Sequence, residues 1–78
     1  MEEETELLKR ISIDPAKRFG KPIIRGLRFT VGDMLELLAS GMTYEEILYD
    51  HPDLEPDDIR ASLIYASRLA NHRHADAA

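Results

Sequence analysis

Residues 30–48 read TVGDMLELLASGMTYEEIL, and this stretch decides the fold. Thr30 opens it as a helix N-cap, with Asp33 three residues on as the reciprocal acid of a capping box. Val31, Met34, Leu35 and Leu38 follow at helical spacing and line one face. Gly41 supplies the left-handed residue that closes a helix. Thr43 and Glu46 then repeat the capping box, and Tyr44, Ile47 and Leu48 form a second apolar stripe that ends at His51-Pro52.

Further along, Glu55-Pro56-Asp57-Asp58 starts a third helix, because proline suits the first helical position and acids suit the positive end of the helix dipole. Its expected core stripe is Ile59, Leu63, Ala66 and Ala70. Three amphipathic helices on short connections bury their stripes only by closing into a triangular bundle. The last two, joined by a tight turn, have the outline of a helix-turn-helix.

Upstream of residue 30 the period is two. Ile11-Ser12-Ile13-Asp14 alternates before Pro15 and reads as a short strand. Ile23-Ile24-Arg25 and Leu27-Arg28-Phe29 are β-like runs on either side of Gly26, after a Gly20-Lys21-Pro22 turn. The sequence therefore predicts a mainly α fold: a three-helix helix-turn-helix bundle with a short N-terminal β arm or ribbon. It spans residues 10–71, with flexible segments expected at 1–9 and at 72–78; residues 1–10 carry a short helical run, with Leu7 and Leu8, that is too short to hold alone and is expected to fray.

The chain is 78 residues long, enough for one small domain with a thin core, and partner burial by dimerisation is expected of that size. The absence of cysteine excludes a disulfide scaffold, thiolate zinc sites and a cysteine nucleophile. Apolar residues at 44% against 32% charged describe a chain that folds rather than a disordered one. A net charge of −5 argues against bulk binding to nucleic acid or anionic membrane. No run approaches the ~18 apolar residues of a membrane span. Glu2, Glu3 and Glu4 do not open a signal peptide, so the expected location is the cytoplasm, with no membrane partner.

Charge is segregated along the chain. Residues 11–30 carry Lys17, Lys21 and Arg18, Arg25 and Arg28 against Asp14, whereas residues 31–58 hold nine acids and no Lys or Arg. Such a pattern either presents a basic face to a partner or is mixed in space by folding. Lys21, Arg25 and Arg28 flank glycines and a proline, where cations and backbone amides can approach an anionic group together. They are the candidate partner or phosphate contacts, although cations also edge exposed strands to deter pairing.

Catalysis has little support. No Ser-His-Asp pattern, phosphate loop or dinucleotide fingerprint occurs, and no cofactor is implied. His51 lies among Asp50, Asp53, Asp57 and Asp58, but the last two already serve the helix N-terminus, and His72 and His74 fall in the tail. Entry of the third helix into DNA is opposed by Glu55, Asp57 and Asp58 at the end that would meet the groove. Any DNA contact would come from residues 17–28. Ile64 and Tyr65 lie off the expected core stripe and are candidate contacts of a homodimer, or reach a wider core under the N-terminal segment.

Four segments together resemble one family: ISIDP at 11–15, GKPIIRGLR at 20–28, LLASGMTYEEIL at 37–48 and DLEPDDIRASL at 53–63. It is the prokaryotic family catalogued as domain of unknown function four hundred and thirty-three, and the resemblance runs from about residue 10 to 71. The resemblance implies a homeodomain-like helix-turn-helix with a short β arm. It also implies a VapB-type antitoxin, paired with a small PIN-class nuclease toxin whose clustered acids hold magnesium. An arginine or lysine among those acids would block the toxin, and Lys21, Arg25 and Arg28 match the family motif. Leu27 departs from the family's usual threonine and Phe29 from its usual aliphatic residue. The expected function is therefore that of a non-enzymatic antitoxin. The alternatives are a dimeric transcriptional regulator on its own promoter DNA, and an adaptor without a toxin.

Overall fold

The computed structural model describes the backbone of residues 2–77 and the side chains of residues 3–72. Four helices and a two-stranded antiparallel sheet make up the described residues. In chain order they are α1 (Glu2–Leu8), β1 (Ile11–Ile13), β2 (Pro22–Ile24), α2 (Val31–Ala39), α3 (Tyr44–Asp50) and α4 (Pro56–Ala77). The central helices follow the sequence signals. Thr30 and Asp33 close one capping box, with the Thr30 hydroxyl accepting from the Asp33 N–H at 2.8 Å. Thr43 and Glu46 close the other, and Gly41 between them has φ of 97°.

The core forms where β2, α2, α3 and α4 meet. Ile24, Met34, Ile47, Leu54 and Ile59 are buried there, with Ile11, Leu27, Phe29, Leu37 and Leu38 packed around them. The Phe29 ring meets His51 edge-on at 5.0 Å.

Three sequence expectations need correction. First, the bundle has four helices, because residues 2–8 form α1 on the flank of α4. Seven residues do not hold a helix alone. Here Leu7 is buried, and Arg60 and Arg68 of α4 reach Glu3 and Glu4 at 3.4 and 3.0 Å. Second, the inward face of α4 is rotated from the expected stripe. Ile59 is buried, but Leu63 is 39% exposed and Ala70 is exposed, while Ala61 and Ser62 are fully buried. Ser62 is admitted because its hydroxyl donates to the Asp58 carbonyl at 2.9 Å, which removes the cost of burying it. Third, Leu27-Arg28-Phe29 is a loop. Arg25 and Gly26 have φ of 45° and 74°, and the Leu27 N–H donates to the Ile24 carbonyl at 2.8 Å. Positive φ at both central residues makes this a mirror-image turn. It sends the chain straight back, so Thr30 bridges Ile23 and the Ile24 N–H reaches the Phe29 carbonyl at 3.0 Å.

At the other terminus α4 continues to Ala77, past the Asn71 at which the domain was expected to end. The expected tail at 72–78 falls largely on side chains outside the described residues.

Candidate functional site

The segment between the two strands holds an unusual backbone. Arg18, Phe19 and Gly20 have φ of 49°, 60° and 77° in succession. The Gly20 N–H donates to the Lys17 carbonyl and the Lys21 N–H to the Arg18 carbonyl, both at 3.1 Å. This is a single left-handed turn, a conformation that costs an L-residue roughly 1–2 kcal/mol. Side chains on both sides hold it. Arg18 Nη1 donates to Asp33 Oδ2 at 2.9 Å and to the Arg28 carbonyl at 2.8 Å, and Lys17 Nζ donates to the Gly26 carbonyl at 2.8 Å. Asp33 thus caps α2 and anchors the turn with one carboxylate. Burial would raise its pKa, but the bonds from the Thr30 N–H, Arg18 and the Thr30 hydroxyl outweigh it and hold it below the ordinary carboxylate value.

The turn presents Phe19, which is 94% exposed. Lys21 and Arg28 make no side-chain hydrogen bond or ion pair among the described residues.

Arg25 is placed differently. Its Nε donates to Asp58 Oδ1 at 3.0 Å, and its Nη2 to Asp58 Oδ2 at 2.8 Å and to the Asp53 carbonyl at 2.6 Å. Arg10 completes the cluster, with Nη1 on Asp58 Oδ1 at 3.0 Å and on Glu55 Oε1 at 2.7 Å. The Glu55 N–H adds a fourth donor to Asp58 at 2.7 Å. Asp58 has no exposed surface. Burial pushes its carboxyl up, and the bonds from Arg25, the Glu55 N–H and Arg10 more than reverse this and hold it low. The guanidiniums of Arg10 and Arg25 are held above their ordinary value, chiefly by hydrogen bonds to Glu55 and Asp58 respectively.

The three cations singled out in the sequence are therefore not gathered at one point. Arg25 braces the β turn to the start of α4. Arg28 borders a cleft of about 310 Å³ with Phe29, Asp50, His51 and Asp53. Lys21 borders a separate cleft of about 310 Å³ with Pro22, Val31, Leu35, Tyr65 and Leu69. Tyr65 and Leu69 also line an adjoining apolar cleft of about 380 Å³ with Leu8, Ile11 and Arg68. Lys21 and Tyr65 thus share a groove along α4. Ile64 lies elsewhere, half-buried on the α4 face that carries Arg60 and Arg68 toward α1.

A family model described as "Protein of unknown function (DUF433)" matches residues 11–66. The chain belongs to this family. No curated protein and no solved structure matches it. The DUF433 span runs from β1 into α4 and takes in the left-handed turn, Arg25 and Asp58, while α1 and Arg10 lie outside it. Phe19 and the buried role of Asp58 escaped the sequence reading. Phe19 does leave a signal, as a lone aromatic in the charged, glycine-bounded run Lys17-Arg18-Phe19-Gly20-Lys21.

Proposed function

We propose that this DUF433 protein is a non-enzymatic antitoxin that neutralises a small PIN-like nuclease by covering its acidic active site. The observation that carries the reading is the exposure of Phe19 on the braced left-handed turn, with Lys21 two residues on in the chain and the Arg28 carbonyl bonded by Arg18 of the turn. Arg10, Arg18 and Arg25 are paired with acids of the chain itself and Lys17 with the Gly26 carbonyl, which leaves Lys21 and Arg28 as the cations of residues 10–28 with no side-chain hydrogen bond or ion pair among the described residues. A cluster of carboxylates on a partner would take up those cations, and Phe19 would exclude water around them. In this reading α2, α3 and α4 are a homeodomain-like helix-turn-helix used as a scaffold, in the cytoplasm and without a cofactor.

The test is affinity capture of the full chain from its native source, followed by RNA-cleavage assays on any small acidic protein that co-purifies. The variant Phe19→Ala/Lys21→Glu/Arg28→Glu, folded as judged by circular dichroism, is expected to lose inhibition by at least tenfold. Equal inhibition by this variant overturns the mechanism. Promoter DNA supports the regulator reading if it binds specifically at low salt, where electrostatic contact is strongest. Glu45, Glu46 and Asp50 on α3, with Glu55 just before α4 and Asp57 in its first turn, oppose that outcome. Capture of neither a nuclease nor DNA points to the adaptor.

A further inference from the structure

We infer that the outer edge of β1 pairs with β1 of a second copy, making a continuous four-stranded antiparallel sheet across a two-fold axis at Ser12. The inference is independent of the antitoxin reading and rests on strand register. Ser12 stands opposite Ile23, with Ile11 opposite Ile24 and Ile13 opposite Pro22. The Arg25 N–H donates to the Arg10 carbonyl at 2.7 Å, while the Ile24 N–H turns away from β1 to the Phe29 carbonyl. Hydrogen-bonded and non-hydrogen-bonded pairs alternate along an antiparallel ladder. The Ser12–Ile23 pair is therefore hydrogen-bonded, and the Ile11 and Ile13 backbone groups point out of the sheet. Pro22, with no N–H to offer, sits opposite Ile13 at a position where β1 asks for none. No other backbone group among the described residues takes up the N–H or carbonyl of Ile11 or Ile13.

That edge is complementary to itself. With Ser12 on the axis, Ile11 of one copy faces Ile13 of the other, and the two pairs exchange four backbone hydrogen bonds. Arg10 falls opposite Asp14 at each end, so like charges do not face each other across the axis. Ile11 and Ile13 share a face, two residues apart. Ile13 is 60% exposed, and Ile11 lines the apolar cleft with Leu8, Tyr65 and Leu69. Pairing sets the second copy's Ile13 beside Ile11 at the mouth of that cleft. A three-residue strand is too small to hold a dimer by itself, since stable interfaces bury about 800 Å² per partner. The cleft alongside, with Leu69 51% exposed, supplies the additional apolar surface. Nothing charged points from the strand to block the edge, the usual device against such pairing.

Sedimentation equilibrium on the full chain is expected to show a reversible dimer. Ile13→Pro removes one outward donor without touching the β1–β2 bonds, and is expected to weaken the dimer by at least about tenfold while the circular dichroism spectrum and melting temperature of the monomer hold. Ser12→Cys introduces the chain's one thiol. The facing Cα atoms would lie about 4.5 Å apart, within disulfide reach. Mild oxidation is then expected to give a covalent dimer, which Ser40→Cys does not give under the same conditions. A monomer at every concentration overturns the inference. So does a dimer that tolerates Ile13→Pro and fails to crosslink through Ser12→Cys.

Discussion

Arg25 grips both carboxylate oxygens of Asp58, from Nε at 3.0 Å and from Nη2 at 2.8 Å, across 33 residues of chain. The grip holds Arg25 at φ of 45°, a region that disfavours any residue with a Cβ. It also joins the basic front of the sequence to its acidic middle. Charge that is segregated along the chain is thereby mixed in space, and of the cations at 17–28 Lys21 and Arg28 alone have no side-chain hydrogen bond or ion pair among the described residues. The brace and the presented turn are parts of one arrangement, since Lys17 and Arg18 of the turn are bonded to the carbonyls of Gly26 and Arg28 just beyond Arg25.

Removing Asp58 is expected to be among the costliest single changes. Asp58→Ala strands two guanidiniums, and a charge pair broken on one side costs about 2–4 kcal/mol, given that both arginines keep some solvent. Arg25→Ala and Arg25→Gly both lose the grip on the carboxylate, but glycine relieves the positive φ. Urea unfolding should place Arg25→Gly about 1 kcal/mol above Arg25→Ala. Equal stability of the two would mean that the turn relaxes when the grip is gone.

Acid should loosen the fold through the same carboxylates. Asp58 and Asp33 are both held below the ordinary value of 3.8, so the folded chain binds their protons less tightly than the unfolded chain does. Their contribution is fully present above that value and is lost as pH falls through the lower folded values. Urea midpoints should be flat near neutral pH and drop below about pH 4. Asp58→Asn should flatten that drop while lowering the plateau.

The fold was largely legible because its central signals are local. Each capping box needs only a residue and its third neighbour, and Thr30/Asp33 and Thr43/Glu46 set the starts of α2 and α3 without reference to the rest of the chain. The phase of α4 was not legible, because it depends on tertiary partners. Ranking by hydrophobicity chooses Leu63, but α4 is packed by α1 on one flank and by α2 and α3 on others, so small Ala61 and hydrogen-bonded Ser62 turn inward. The candidate site was half legible. Lys21 and Arg28 could be picked from charge and glycine spacing, but nothing local separates them from Arg25, whose partner lies 33 residues away.

That helix phase can be checked directly. Ile59→Ala should cost about 2–4 kcal/mol, since Ile59 is fully buried. Leu63→Ala should cost less than about 1 kcal/mol, because Leu63 keeps 39% of its surface in water. Ser62→Leu should destabilise by about 1–3 kcal/mol through overpacking. Thermal denaturation of the three variants reads this order, and a Leu63→Ala loss as large as that of Ile59→Ala would restore the stripe expected from sequence.

Phe19 separates stability from binding. It is 94% exposed and contributes little packing, while its φ of 60° carries the left-handed penalty of any residue with a Cβ. Phe19→Gly removes that penalty and should raise stability by up to about 1 kcal/mol. Phe19→Ala keeps the Cβ and should leave stability within about 0.5 kcal/mol of the parent. If the side chain is there to be bound, both variants lose affinity for the protein partner to a similar extent, although one is more stable than the parent. Melting temperatures measured beside partner titrations give the comparison. A Phe19→Gly protein that is more stable and binds as well as the parent would leave the strain of the turn without a binding role.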